Sequence, residues 1–240
     1  MLDFTLRLAL SPVLLTQAIG VRARALQLPE AAGPREGTIG SGPELSLLIL
    51  GDSSAAGVGV DHQDQALAGQ LAAQLSQDFT VKWRLVAKTG ATTASTLKAL
   101  TDQAHAPVDV VVTALGVNDV THAVPFGRWQ SQQQVLRKRI DQLFAPRLLY
   151  MSGVPPLGLF PVLPQPLRWT LGRQAARFDQ ALAKSLHGET HRHHIPFDLP
   201  LDPAQMAIDG FHPGPQIYAQ WAKEMASRII TDWPDMSHHR

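Results

Sequence analysis

The apolar positions of the chain form two kinds of pattern that alternate from residue 45 onward. Short, nearly continuous apolar stretches predict five strands, at 45–50, 81–87, 108–115, 147–151 and 194–197. Elsewhere apolar residues recur every three or four positions, which predicts helices at 66–76, 94–104, 129–144, 167–186 and 216–231. Strands this apolar need cover on both faces, so the alternation predicts an α/β fold with a parallel sheet between helical layers.

The first predicted strand leads directly into Gly51 and the sequence Asp-Ser-Ser-Ala-Ala-Gly, which ends at Gly57. The two glycines permit a sharp turn that would present the hydroxyl of Ser53 at the end of the strand, where ligands bind in open parallel sheets. A serine here is equally suited to capping a helix. A phosphate-binding loop is disfavoured because no Gly-Lys-Ser/Thr follows. The adjacent Ser54 is the alternative hydroxyl.

A second motif, Asp-Gly-Phe-His at 209–212, lies on a predicted loop before the last helix. A serine hydroxyl becomes a good nucleophile only when a positioned base takes its proton and a third group orients that base. Asp209 and His212 can supply the carboxylate and the imidazole from one loop. The alternative is a structural turn with a solvated histidine. Asp202 is the other carboxylate nearby, and we expect it to cap a turn because it precedes Pro203.

Two further predicted loops carry groups suited to stabilising an oxyanion. Asn118 follows the strand at 108–115, where a side-chain amide can donate to a developing negative charge. Gly90 follows the strand at 81–87, where a glycine lets a backbone N–H approach a ligand closely. Taken alone, Asn118 is equally well explained as part of a turn-forming Asn-Asp pair, and Gly90 as a plain turn residue.

In order along the chain, these four blocks resemble the SGNH (GDSL) hydrolase family from residue 45 to the last helix. The resemblance implies a three-layer αβα sandwich around a five-stranded parallel sheet of flavodoxin-like order. It implies Ser53 as nucleophile, His212 as base and Asp209 as the group that orients the base. The backbone N–H groups of Ser53 and Gly90, with the side chain of Asn118, would form the oxyanion hole. One departure is Ser54, where the family's name motif has leucine.

The same resemblance implies a serine esterase that acts through an acyl-enzyme, without a metal or organic cofactor. The apolar loop at 154–164 favours short to medium acyl or aryl esters of small molecules as its substrates. Carbohydrate O-acetylesterase, thioesterase, lysophospholipase and acyltransferase activities are the alternatives, followed by a non-catalytic binding protein of the same fold. The apolar loop at 154–164 follows the fourth strand, and its Leu159 and Phe160 are candidates for the acyl-binding wall, unless the loop is buried only for structural reasons.

Composition excludes several other classes of protein. The 240 residues carry a net charge of +1 and no basic stripe, which argues against binding to nucleic acid. The absence of cysteine excludes disulfides, thiolate metal sites and a cysteine nucleophile. Four histidines at 187, 191, 193 and 194 lack the spacing of a metal-binding helix, and we expect them to lie in a solvated loop. The oligomeric state is left open.

The amino-terminal segment allows three interpretations. Residues 8–19 are mostly apolar but contain Pro12, and Arg22 and Arg24 follow them. The segment fits a helix packed on the domain, a membrane-surface anchor that uses residues 2–20, or a cleaved export signal. The Pro- and Gly-rich stretch at 27–42 predicts a linker, so we divide the chain into an apolar helix with linker at 1–42 and a hydrolase domain at 43–240. We expect a cytoplasmic protein, with membrane association or periplasmic export as alternatives.

Overall fold

A six-stranded sheet forms the centre of the molecule. The computed structural model describes residues 2–100, 106–197 and 202–233, and side chains from residue 10 onward. The strands are β1 (Glu36–Ile39), β2 (Glu44–Gly51), β3 (Thr80–Ala87), β4 (Val110–Ala114), β5 (Leu148–Ser152) and β6 (Arg192–Ile195), in the order β1-β3-β2-β4-β5-β6. The five strands from β2 to β6 are parallel and follow the flavodoxin-like order, as predicted.

Helices cover both faces of this sheet. They are α1 (Leu2–Arg24), α2 (Leu67–Leu75), α3 (Thr93–Leu100), α4 (Val117–Thr121), α5 (Phe126–Phe144), α6 (Leu167–Leu186) and α7 (Pro215–Asp232). Leu47 and Ile49 of β2 pack with α2 and α7, whereas Leu48 and Leu50 pack with α3, α5 and α6. Successive strand residues point to opposite faces, so an uninterrupted apolar strand is what a sheet covered on both sides requires. The α/β prediction is confirmed.

The structure also differs from the predicted elements at three places. The predicted linker contains β1, which pairs antiparallel with β3 at the edge of the sheet; all four of its residues are exposed, so it has no apolar signal. The five-residue helix α4 is too short for periodicity to detect. The last strand begins at Arg192, so the expectation of a solvated loop is wrong for His193 and His194. Residues 101–104 of a predicted helix lie outside the described residues.

Helix α1 lies against the body of the molecule. Leu14 and Val21 pack on the core cluster that contains α6, and the Gln17 side chain bonds the Gln165 carbonyl (2.6 Å) and the Leu167 N–H (3.1 Å). The exposed sides of α1 still carry apolar residues, with Leu15 64% and Ile19 59% exposed. Within the described part of the chain, no helix is long and apolar enough to cross a membrane. Surface contact with a membrane, the division at residue 42 and the cellular compartment stay predictions.

Candidate active site

The groups singled out by sequence meet at one edge of the sheet. Ser53 follows β2, Gly90 follows β3 and Asn118 lies in the first turn of α4, directly after β4. Asp209 and His212 reach the same edge from the loop before α7. Because all these groups lie beyond the carboxyl ends of parallel strands, the fold itself gathers them from distant parts of the sequence.

Ser53, His212 and Asp209 form one continuous chain of hydrogen bonds. The Nε2 atom of His212 lies 2.9 Å from the Ser53 hydroxyl oxygen, and its Nδ1 atom lies 2.5 Å from Oδ2 of Asp209. The other Asp209 oxygen, Oδ1, accepts the backbone N–H groups of Phe211 (2.9 Å) and His212 (3.0 Å). The carboxylate therefore holds both the imidazole ring and the loop that carries it, which fixes one ring nitrogen toward the serine.

The hydrogen bonds around Asp209 also determine its charge. Burial alone raises the pKa of this carboxyl, but the bonds from the His212 ring and from the two backbone N–H groups outweigh burial, so the pKa lies below its ordinary value. Asp209 is therefore ionised at neutral pH. This negative charge faces the Nδ1 side of the His212 ring.

The turn after β2 and the histidine loop lie directly against each other. Gly59 has a φ of +107°, and a Cβ atom there would lie 2.3 Å from the Pro213 carbonyl oxygen. A side chain would push the loop away from Ser53. The loop closes on itself through bonds from Ala207 N to His212 O (2.9 Å) and from Gly214 N to Gln205 O (3.0 Å). The distance between the serine and the imidazole is thus set by backbone packing.

Asp52 is a member of the site whose role the sequence did not predict. Its side chain is buried; Oδ1 accepts the N–H (2.9 Å) and hydroxyl (2.8 Å) of Ser54, and Oδ2 accepts the Asn118 amide (3.2 Å). Burial raises the pKa of Asp52 above its ordinary value, although the Ser54 bonds oppose this. The available signal was a carboxylate directly after a buried strand, which must find hydrogen-bond donors there. The Ser54 hydroxyl is directed at Asp52, whereas Ser53 faces His212.

The three predicted oxyanion donors differ in whether each already donates a hydrogen bond to another group of the protein. Among the described residues, the backbone N–H groups of Ser53 and Gly90 donate to no other group. The side-chain nitrogen of Asn118 contacts both Asp52 Oδ2 and the Ala91 carbonyl oxygen (3.1 Å). The two backbone N–H groups are therefore open to a ligand, while the Asn118 amide is held in place by acceptors of the protein.

Asp119, beside Asn118, fixes the short helix α4 to α3. It is fully buried, and its Oδ2 atom accepts the backbone N–H (3.0 Å) and the hydroxyl (2.8 Å) of Thr93. The Gln133 side chain in turn donates to that hydroxyl (3.0 Å). Burial raises the pKa of Asp119, opposed by the Thr93 bonds. For Asp119 itself, the sequence suggested no role beyond a turn-forming Asn-Asp pair, because buried partners from other helices leave no local pattern.

A small cavity of about 40 Å³ opens beside Ser53 and His212. Its apolar wall comes from several loops: Val117, Pro155, Phe160, Phe197, Met206, Phe211 and Pro213. Phe160 packs edge-on against Phe211 with ring centroids 5.1 Å apart, next to the histidine. Leu159 is 64% exposed and does not line the cavity. Of the two candidate wall residues, the structure therefore brings only Phe160 to the site.

Two further polar residues near the site, Asp202 and His194, have structural partners. The Asp202 side chain accepts the Ala204 N–H at 2.9 Å and caps a short 3-10 helix (Pro203–Gln205), as expected. His194 Nε2 lies 2.8 Å from Oδ1 of Asp179. In the described ranges, no group of three or more His, Asp or Glu side chains is arranged to hold a metal ion.

The α/β fold, with serine, histidine and aspartate in one hydrogen-bonded chain at the carboxyl edge of the sheet, defines the class: a hydrolase of the SGNH type. The model of the GDSL-like lipase/acylhydrolase family matches residues 49–220, and the chain belongs to this family. No curated protein sequence matches the chain significantly.

Solved structures with the same fold come from distant relatives. A family 3 carbohydrate esterase from Clostridium thermocellum has a TM-score of 0.63 at 14% identity, over 80% of this chain and 98% of its own. The lipase Lip_vut3 from a goat rumen metagenome has a TM-score of 0.62 at 16% identity, over 76% and 96%. The psychrotrophic esterase EstA from Pseudoalteromonas sp. has a TM-score of 0.52 at 19% identity, over 79% and 98%. These similarities show the fold.

Proposed function

We propose that the protein is a serine esterase that cleaves carboxylic esters with short acyl groups through an acyl-enzyme intermediate. The observation that supports this most directly is the pair of distances at His212, 2.9 Å to the Ser53 oxygen and 2.5 Å to Asp209. This geometry allows the imidazole to take the serine proton while the carboxylate stabilises the resulting charge.

In the proposed reaction, the Ser53 oxygen attacks the ester carbonyl carbon as His212 Nε2 takes the hydroxyl proton. The carbonyl oxygen becomes an oxyanion, which the N–H groups of Ser53 and Gly90 and the amide of Asn118 would bind. His212 then gives the proton to the leaving alkoxide, and an alcohol departs. A water molecule repeats the sequence on the acyl-enzyme and releases the acid, which restores Ser53 and His212.

The size of the cavity supports a short acyl group. A volume of about 40 Å³ accommodates roughly three water-sized groups, which corresponds to an acetyl or propionyl chain. Its aromatic and aliphatic lining suits an apolar group of that size. The second candidate is removal of acetyl groups from carbohydrates, since an acetyl group fits the same cavity and the structurally similar proteins include a carbohydrate esterase. A thioesterase, lysophospholipase or acyltransferase would use the same acyl-enzyme with a different donor or acceptor.

The decisive experiment compares Ser53→Ala with Ser54→Ala. A small phosphonate is a suitable probe, since the structurally similar esterase EstA was crystallised in a form inhibited by monoethylphosphonate. We expect Ser53→Ala to abolish covalent labelling and to lower kcat on p-nitrophenyl acetate by about 10⁴-fold or more. Ser54→Ala is the matched control and should still be labelled, because the wild-type Ser54 hydroxyl donates to Asp52 and does not face His212.

The substrate class is tested with the wild-type protein. p-Nitrophenyl esters of increasing chain length, acetylated xylo-oligosaccharides, acyl-thioesters and lysophospholipids are compared by kcat/KM. We expect acetate and propionate esters to be cleaved best. Labelling that survives Ser53→Ala would refute the assigned nucleophile, and a wild-type protein that hydrolyses none of these compounds would favour the non-catalytic binding protein.

A further inference from the structure

Residues 30–35, here called the N-terminal strap, cross the turns that carry two of the candidate oxyanion donors. The strap lies in the stretch predicted to be a linker and precedes the region matched by the family model, which begins at residue 49. It touches the turn at 88–91, which contains Gly90, and the turn at 53–57, which begins with Ser53. A segment outside the region that the family model matches therefore contacts both turns, 53–57 and 88–91, whose backbone N–H groups are the candidates to bind the substrate oxyanion.

At the first turn, the contact is made by the carboxylate of Glu30. Its Oε1 atom accepts both the backbone N–H (2.6 Å) and the hydroxyl (2.8 Å) of Thr89, the residue directly before Gly90. Arg35 pairs with the other Glu30 oxygen and donates to the Ala87 carbonyl (2.7 Å). Burial alone raises the pKa of Glu30, but the Thr89 and Arg35 contacts lower it below the ordinary value, so the carboxylate is ionised at neutral pH.

At the second turn, the contact is made by the backbone of Ala31. Its N–H donates to the Ala56 carbonyl oxygen (3.2 Å), and the buried Gln63 side chain donates to both the Ala31 and the Ala56 carbonyls (3.2 and 3.0 Å). Gly57 has a φ of +81°, and a Cβ there would lie 2.6 Å from the Ala31 side chain. The strap and the serine turn are therefore packed together with no room for a side chain between them.

We propose that Glu30 is a positioning residue, which acts through Thr89 to hold the backbone N–H of Gly90 in register with that of Ser53. The proposal rests on the proposed esterase function and adds to it a residue outside the region that the family model matches. Thr89 and Gly90 are both exposed, and within the turn Ala91 N donates to Lys88 O (3.0 Å). Without Glu30, the Thr89 N–H and hydroxyl lose their acceptor. A donor that must be rearranged during the reaction stabilises an oxyanion less than one already in place.

The test measures kcat and KM on p-nitrophenyl acetate for three variants. Glu30→Ala removes the acceptor, and we expect kcat to fall about 10-fold while KM stays within about two-fold, because the oxyanion forms only in the transition state. Glu30→Gln keeps an oxygen for the Thr89 donors and should stay within about three-fold of the wild-type kcat. Thr89→Val removes only the hydroxyl bond and should fall between these two.

Glu44→Ala is the matched control. Glu44 also pairs with one basic side chain, Lys82 (3.1 Å), but at the start of β2, away from the site, and it should keep the wild-type kcat. A Glu30→Ala protein with a lower thermal unfolding midpoint and an unchanged kcat per folded molecule would overturn the proposal, as would a Glu30→Gln kcat no better than that of Glu30→Ala. If Glu30→Ala does not fold, Thr89→Val alone is the test: a lower kcat with a nearly unchanged KM supports the proposal, and an unchanged kcat overturns it. An inactive wild type, or an active Ser53→Ala, would instead refute the proposed function.

Discussion

Among the described residues, the carboxylate–imidazole pairs Asp209–His212 and Asp179–His194 differ in whether the ring reaches a serine. In the pair Asp209–His212, the carboxylate takes Nδ1 and leaves Nε2 for Ser53. In the pair Asp179–His194, the carboxylate takes Nε2 itself. The two distances are similar, at 2.5 and 2.8 Å, so the presence of a short Asp–His contact does not distinguish a catalytic pair from a structural one.

The surroundings of the second pair explain its different use. The same Oδ1 atom of Asp179 accepts the backbone N–H of Val154 (2.9 Å), at the start of the loop that runs to Phe160. A Cβ atom on Gly153 would lie 2.5 Å from Asp179 Oδ1 and 3.1 Å from His194 Nε2. The pair is thus closed off by backbone and anchors the loop. Each carboxylate takes only one ring nitrogen, and what suits the first pair to catalysis is that the other nitrogen, Nε2 of His212, faces the Ser53 hydroxyl.

The comparison predicts the largest effect at the histidines. His212→Ala should lower kcat by about 10⁴-fold or more, because no other described group is in position to take the serine proton. His194→Ala should keep kcat within about five-fold and instead lower the free energy of unfolding by about 1–3 kcal/mol, because Asp179 loses a partly buried hydrogen-bonding partner. Steady-state kinetics and urea unfolding of both variants provide the check. Equal losses of activity would show that the second pair also takes part in the reaction.

The next effect concerns Asn118, the candidate oxyanion donor, whose side-chain amide donates to Asp52, the residue before Ser53. Asn118→Ala should lower kcat by roughly 10²-fold with little change in KM. The competing interpretation is that the amide only joins Asp52 to the Ala91 carbonyl. In that case thermal stability would fall and kcat would not, so the two measurements together assign the role.

A smaller effect, on the preference among ester chain lengths, is expected at the loop that runs from Val154, which bonds Asp179, to Phe160, which packs beside His212. Phe160 lines the cavity and packs on Phe211 beside His212, whereas its neighbour Leu159 faces solvent. Phe160→Ala should enlarge the cavity and raise the preference for butyrate over acetate esters by about 10-fold, in line with 1–3 kcal/mol for each methylene-sized change in an apolar pocket. Leu159→Ala is the control and should leave the ranking unchanged. A uniform loss with every ester would make Phe160 a structural residue.

The smallest effect is the dependence of stability on pH. The pKa of Asp209 is lower in the folded protein than the ordinary value of about 4, so its ionised form stabilises the fold. This contribution is present above the unfolded-state pKa and is lost as pH falls through the folded-state pKa. Asp209→Asn should therefore have a lower thermal midpoint than wild type at pH 5–7, with the difference shrinking below about pH 4. A difference that stays constant down to about pH 2 would contradict this.

The sequence was sufficient where chemistry and strand pattern coincide. Ser53, Gly90 and Asn118 each follow an apolar strand, and the parallel order of those strands brings them to one edge. It was insufficient for Asp52 and for Glu30, whose partners come from separate strands and loops and leave no periodic signal. Exposed β1 and half-buried β6 were missed or misplaced for a related reason, because edge strands with polar residues are held by backbone hydrogen bonds that any sequence can make.

The carboxylate of Asp52 constrains how this chain can vary. One of its oxygens serves Ser54 and the other serves Asn118, which lies 66 residues further along the chain. Side chains that share a buried hydrogen-bonding partner have non-additive effects when they are changed. Substitutions at 52 and 118 are therefore expected to be epistatic: once Asp52 is lost, losing Asn118 removes a contact that no longer exists. We therefore expect the Gly-Asp-Ser and Gly-Val-Asn-Asp motifs to vary together: whether a substitution at Asp52 is tolerated depends on the residue at position 118, and the reverse also holds.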